Sequence, residues 1–180
     1  MRTYFHKNFV LRLLLTCAVF AALSIGQHVN GQFTKANLYI DGLTCSLCSK
    51  GVEKALKELP FIKNVAMDLN SNVAEIEFRQ PAIVDMNQVA TKVKDAGFSV
   101  RSLEAFYSFN QLLISDGSRF KYHDFEFVFR EVQPQLLSGV HPVRLLGKDF
   151  MDARTWTKYK SDKTKQRKNT PSKNLFFITL

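Results

Sequence analysis

Several ingredients of familiar chemistry are missing from this chain. No nucleophile, base and acid fall at a spacing that suggests hydrolysis, no phosphate loop is present, and no pair of carboxylates is set for acid–base work, so an enzyme is not expected. Cysteine is scarce, with three residues in 180: Cys17, Cys45 and Cys48. The last two are so close in sequence that a bond between them closes no long loop, which excludes a disulfide framework as the source of stability. Long hydrophobic runs are also lacking. The apolar stretch Leu13–Leu23 is shorter than the roughly 20 residues of a membrane-spanning helix. Acidic residues are outnumbered, 16 against 25 basic, for a net charge of +9. No pattern of base-stacking aromatics accompanies the basic residues beyond Trp156 and Tyr159, and nucleic acid is not an expected partner.

What is present begins with a leader. Arg2, Lys7 and Arg12 precede the Leu13–Leu23 run, and small and polar residues follow to Gly31. That is the layout of a secretory signal peptide over residues 1–31, with small residues at Gly26 and Gly31 suited to cleavage. A retained anchor is the alternative. Cys17 reads poorly as a lipid-attachment site, because Thr16 precedes it and the apolar run continues past it. Cleavage would remove Cys17 and leave Cys45 and Cys48 alone in an exported, periplasmic or cell-envelope protein.

Charge then divides the remainder. Residues 36–109 carry eight basic and nine acidic side chains, whereas residues 110–180 carry thirteen and seven. Apolar periodicity divides it at the same place. Residues 36–41 alternate as a short strand, and Cys48, Val52, Ala55, Leu56 and Leu59 recur at helical spacing until Pro60. Phe61–Leu69 and Val73–Phe78 read as strands joined by the polar turn Asn70-Ser71-Asn72. Met86, Val89, Ala90 and Val93 make a second helix with Gly97 placed to end it, and Phe98–Phe106 continues as a strand. The order β-α-β-β-α-β over residues 36–107 predicts an α+β fold, a ferredoxin-like sandwich with two helices on one face of a four-stranded antiparallel sheet. Residues 110–180 read as a basic, mainly-β C-terminal region with no clear helix. Strands are expected around Phe125–Phe129, Val140–Phe150 and Asn174–Leu180, and a solvated hairpin loop over Lys158–Lys173. No repeat of the first unit is found.

One stretch carries the chemistry. Gly42-Leu43-Thr44-Cys45-Ser46-Leu47-Cys48, followed by Val52, Ala55 and Leu56, then Val65 and Asp95-Ala96-Gly97-Phe98, resembles the heavy-metal-associated domain. That domain occurs in copper chaperones, in the amino-terminal modules of copper-transporting ATPases and in the periplasmic mercuric-ion-binding protein. The resemblance covers about residues 36–105 and implies metal binding by Cys45 and Cys48. It also implies transfer of the ion to a partner's cysteine pair by ligand exchange through three-coordinate intermediates, with Cys45 the first to enter or leave. In that family the position of Leu43 is commonly a core Met. The position of Phe98 is Lys in many soluble chaperones and aromatic in membrane-pump modules.

The residue types suit the task. Gly42 allows a sharp turn off the first strand, and Thr44 is placed to cap the helix that follows. Cys45 then projects from the loop while Cys48 falls in the first helical turn, where the positive end of the helix dipole favours thiolate. Soft thiolates select soft ions, and two of them nearly complete a low-coordinate site, so Cu(I) is the first expectation with Hg(II) also accommodated. A closed Zn(II) site wants four ligands, and only Asp41 lies near the pair.

Other readings stand beside this one. The pair could be a degenerate remnant, or a thiol–disulfide redox site, although no Trp precedes Cys45 and the strand order is not that of thioredoxin. His123, His141 and Met151 read as surface or packing residues before they read as a second metal site. Lys158–Lys173 offers contact with a membrane surface or an acidic partner, such as a metal transporter or another envelope protein. A metal-independent interaction module is the function of another class that the same residues allow.

Overall fold

A computed structural model describes residues 31–163 and 174–180. The expected leader, apart from Gly31, and residues 164–173 of the basic run lie outside the described residues. The first half runs β1 (Phe33–Asp41), α1 (Ser46–Lys57), β2 (Ile62–Asp68), β3 (Val73–Phe78), α2 (Met86–Asp95) and β4 (Ser99–Ile114). Its strands lie in the order β2-β3-β1-β4, every neighbouring pair antiparallel. This is the ferredoxin-like arrangement expected of the βαββαβ pattern.

Alternation explains it. Ala36, Leu38 and Ile40 of β1 are buried while Lys35, Asn37 and Tyr39 between them are not. Val52 and Leu56 of α1, and Met86, Val89, Ala90 and Val93 of α2, are buried at helical spacing in the same core. Burying each larger side chain contributes on the order of 1.5–3 kcal/mol. Asp85 caps α2 by accepting the Asn87 N–H at 2.9 Å.

The second half contributes β5 (Arg119–Tyr122), β6 (Phe125–Phe129), β7 (Gln135–Leu146), α3 (Ala153–Lys163) and β8 (Leu175–Thr179). Its strands extend the same sheet, which has eight strands in the order β2-β3-β1-β4-β7-β8-β6-β5. The boundary expected between residues 107 and 110 falls inside β4, which pairs with β1 from Tyr107 back to Ser99 and with β7 from Glu104 to Ile114.

The far edge of the sheet returns to its middle. Tyr122 on β5 lies with its ring 5.0 Å from that of Phe33 on β1, and Phe127 on β6 lies 5.4 Å from the same ring. The Tyr122 hydroxyl donates to the Ala82 carbonyl at 2.9 Å and accepts the Val84 N–H at 3.1 Å, tying β5 to the segment that leads into α2. The space so enclosed is filled by aromatic rings, Phe127 stacking on Phe120 and Phe176.

Four expectations need correction. β1 begins at Phe33 rather than residue 36, because Phe33 belongs to the aromatic cluster that only the distant β5 and β6 complete. β4 runs to Ile114 rather than Phe106, since β7 supplies its second edge. β7 starts at Gln135 for the same reason. Most plainly, Lys158 lies in helix α3 and not in a hairpin loop. Asp152 starts that helix by accepting the N–H groups of Arg154 and Thr155 at 3.0 and 2.9 Å.

Candidate metal centre

The loop between β1 and α1 carries both cysteines. Gly42 leaves β1 with φ +87°, a backbone conformation that favours glycine, and redirects the chain over the end of the sheet. Leu43 then turns inward and is 6% exposed, so it fills the core beneath the loop as its size predicts. Thr44 is exposed and does not cap the helix. The cap is Cys45 itself, whose backbone is extended at φ −142° and ψ 154° and whose sulfur accepts the Cys48 N–H at 3.2 Å. The expectation for Thr44 is corrected by one residue because the thiol sulfur occupies the acceptor position that a hydroxyl takes in other helices.

That replacement matters chemically. A backbone N–H pointing at Cys45 Sγ, together with the helix N-terminus, stabilises negative charge on sulfur. Cys45 is exposed and Cys48 half-buried, with their Cα atoms 5.4 Å apart, and the two sulfurs are joined as a disulfide in this structure. The arrangement therefore brings both sulfurs to one point near the surface. Ser49 holds the turn from the other side, donating both its N–H and its hydroxyl to the Cys45 carbonyl at 3.1 and 3.2 Å.

Phe98 reaches the loop through the end of α2. Gly97 adopts φ +87°, its N–H meets the Lys94 carbonyl at 2.8 Å, and the Phe98 N–H meets the Val93 carbonyl at 3.1 Å. These are the paired bonds of a Schellman ending, and they aim Phe98 at Gly42. A β-carbon on Gly42 would sit 3.6 Å from the Phe98 ring.

The sequence reading missed Arg101. A register shift of β4 against β1 falls between the pairs Tyr39–Ser102 and Ile40–Val100, and it sets the Arg101 guanidinium 3.9 Å from Asp41. The guanidinium also lies 5.6 Å over the Tyr39 ring and donates to the Ser71 carbonyl at 3.3 Å. Only the extra residue in β4 signals it, and that becomes visible when the strands are paired.

The remaining candidates do not converge. His123 sets its ring edge-on to Tyr122, and the His141 ring nitrogen Nε2 meets the Ser138 carbonyl at 3.0 Å. Met151 forms a bridge with Ser102. Among the described residues no three His, Cys, Asp or Glu side chains group to hold a metal ion.

The cysteine pair, Cys45 exposed and Cys48 half-buried, thus stands at the start of the first helix of a ferredoxin-like fold. Residues 37–99 match the heavy-metal-associated domain family, and this part of the chain is a heavy-metal-associated domain. The chain is similar to a copper-transporting ATPase of Arabidopsis thaliana, 27% identical over 110 residues, covering 61% of this chain and 9% of that one. A probable copper-transporting ATPase of the same plant is 36% identical over 77 residues, covering 43% and 8%. A copper-transporting ATPase of Helicobacter felis is 35% identical over 68 residues, covering 38% and 9%. The chain thus spans less than a tenth of the length of these relatives. Among solved structures, a copper binding domain from a P-type ATPase is 29% identical, with 38% of this chain and 90% of that one covered and a TM-score of 0.35. The CopZ metallochaperone is 21% identical, with 37% and 98% covered and a TM-score of 0.35.

Proposed function

We propose that this chain captures Cu(I) through the thiolates of Cys45 and Cys48 and passes it to a cysteine pair on a partner, a metal transporter or another envelope protein, outside the cytoplasm. It does this by binding and ligand exchange, without covalent catalysis. The observation that carries the reading is the N-capping sulfur of Cys45, held at the surface of a heavy-metal-associated domain with Cys48 one helical turn away. The copper-transporting relatives support Cu(I) over Hg(II), and a Zn(II) site would require two further ligands from a partner or a second copy. The leader-like residues 1–31 support export. The disulfide must first accept two electrons and two protons from a thiol reductant, giving the dithiol; binding then releases two protons as the thiolates take the ion.

The test is a Cu(I) titration of the reduced protein against a competing colorimetric chelator, with Zn(II) and a Cys45→Ser/Cys48→Ser variant in parallel. One copper retained per chain, and none by the variant, is the expected result. Equal retention by the variant would remove the metal reading and leave the disulfide as a redox pair, to be judged by its reduction potential.

A further inference from the structure

Helix α3 differs from the other two helices: α1 and α2 bury an apolar stripe, whereas none of residues 153–159 of α3 is buried. Its sequence, ARTWTKYKSDK, holds Arg154, Lys158, Lys160 and Lys163 against the single acid Asp162. An isolated helix of this length is marginal in water even when well capped, because tertiary packing supplies most helical stability. One apolar feature interrupts the polar sequence. The rings of Trp156 and Tyr159 stack at 5.9 Å with an interplanar angle of 26°, and both residues are only half-buried.

The position of α3 is fixed at its start. The Asp152 N–H donates to the Arg101 carbonyl at 3.1 Å, and Met151 bridges to Ser102. Ser99, three positions before Ser102 on β4, pairs with Asp41, the last residue before the cysteine loop. A salt bridge between Lys94 and Asp149 fixes the same segment to the end of α2, next to Gly97 and Phe98. The helix therefore springs from the end of the sheet that carries Cys45 and Cys48.

We propose that α3 docks the protein on an anionic lipid surface. Arg154 and Lys158 meet headgroup phosphates, and the Trp156–Tyr159 pair enters the interfacial layer. Basic residues alone would fit any acidic partner. The aromatic pair selects lipid, because Trp and Tyr rings, apolar in body and polar at one edge, settle at the headgroup level. Charge and aromatic contact together make the two-part binding typical of surface-lying helices. Docked in this way, the chain holds its cysteine loop at the membrane-facing end, where a membrane-embedded partner would meet it. The lipid contact itself does not depend on copper.

Trp156 is the only tryptophan in the chain, so its emission reports on α3 alone. The full-length protein is titrated with vesicles of phosphatidylcholine, and with vesicles in which part of that lipid is replaced by phosphatidylglycerol. The expected result is a blue shift of Trp156 emission with the anionic vesicles, absent with the neutral ones and reversed by high salt. Arg154→Glu/Lys158→Glu lowers partitioning onto anionic vesicles by at least about tenfold, given roughly fivefold per basic residue near such a surface. Its circular dichroism and Cu(I) retention stay those of the parent. Vesicle binding without a Trp156 shift, or a shift that neutral vesicles match and the variant leaves intact, would overturn the proposal. So would a larger shift with soluble polyglutamate than with anionic vesicles, which would assign α3 to an acidic protein.

Discussion

The two halves of the sheet build their cores by opposite means. Around the cysteine loop, aliphatic side chains of β1 and β3 share a core with two amphipathic helices, and the buried residues within these elements largely follow a local period of two or 3.6 residues. Beyond β4 the core is aromatic. Phe120, Phe127, Phe129 and Phe176 face Phe33, Tyr107 and Tyr122 because the sheet turns back on itself. The elements of the first half are set by patterns among neighbours in sequence, while the aromatic core depends on residues as far as 94 positions apart, as in the meeting of Phe33 with Phe127. Since Phe33 and Tyr107 sit on the strands of the first half, the second is built onto it as a continuation.

That continuity is open to direct attack. Phe127→Ala removes a ring that is fully buried and stacked on both sides, and should cost about 3–5 kcal/mol. If the sheet unfolds as one unit, urea transitions followed by the near-ultraviolet circular dichroism of the aromatic cluster and by far-ultraviolet circular dichroism will shift together. Two separated transitions would show that the halves melt independently. Leu56→Ala, in the aliphatic core under α1, should cost about 2–5 kcal/mol and move the same single transition. A loss confined to the far-ultraviolet signal, with the near-ultraviolet signal of the aromatic cluster unmoved, would count against a shared core.

A smaller change tests the seam. Tyr122→Phe keeps the ring against Phe33 but takes away the hydroxyl, leaving the buried Val84 N–H without its acceptor. About 1–3 kcal/mol should be lost, measurable as a lower urea midpoint. A variant as stable as the parent would mean that the hydroxyl contributes nothing to joining β5 to the first half. Gly97→Ala acts on the local half in a comparable way. A β-carbon at φ +87° costs roughly 1–2 kcal/mol and loosens the Schellman ending that aims Phe98 at Gly42. Stability should fall by that amount while Cu(I) stoichiometry holds. Stability unchanged from the parent would mean that the ending is not strained by a side chain.

Which parts were legible follows from the same contrast. The βαββαβ order could be read from Leu38, Val52, Leu56, Val89 and Val93, because each element declares itself within a few turns of chain. Gly42 and Gly97 were readable because each marks a positive φ that the fold uses. Phe33 was missed because its partners lie on β4, β5 and β6, and nothing adjacent in sequence announces them. β5, four residues long, is too short to show a period. Residues 158–163 read as loop because α3 has no apolar stripe, although Asp152 before Ala153 is an N-cap signal. In the cysteine loop the capping atom lies one residue beyond the expected one. Sulfur is a weak acceptor, and Thr44 offered the more usual hydroxyl.

The smallest effect separates the two cores by pH. Burial, helped by nearby Tyr122, pushes the Tyr107 hydroxyl up to about 12, from about 10 in an unfolded chain. Between those values the folded protein holds a proton that the unfolded chain has released, so stability must fall as pH rises through that window and be unaffected by this group below it. Tyr122, raised for the same main reason, adds to the decline. The aromatic half should therefore make the protein alkali-sensitive in a way that the aliphatic half does not. Urea midpoints taken from pH 8 upward should drop less steeply above about pH 10 for Tyr107→Phe than for the parent. Identical slopes would mean that Tyr107 ionises as freely in the fold as outside it, and that the aromatic interior admits water.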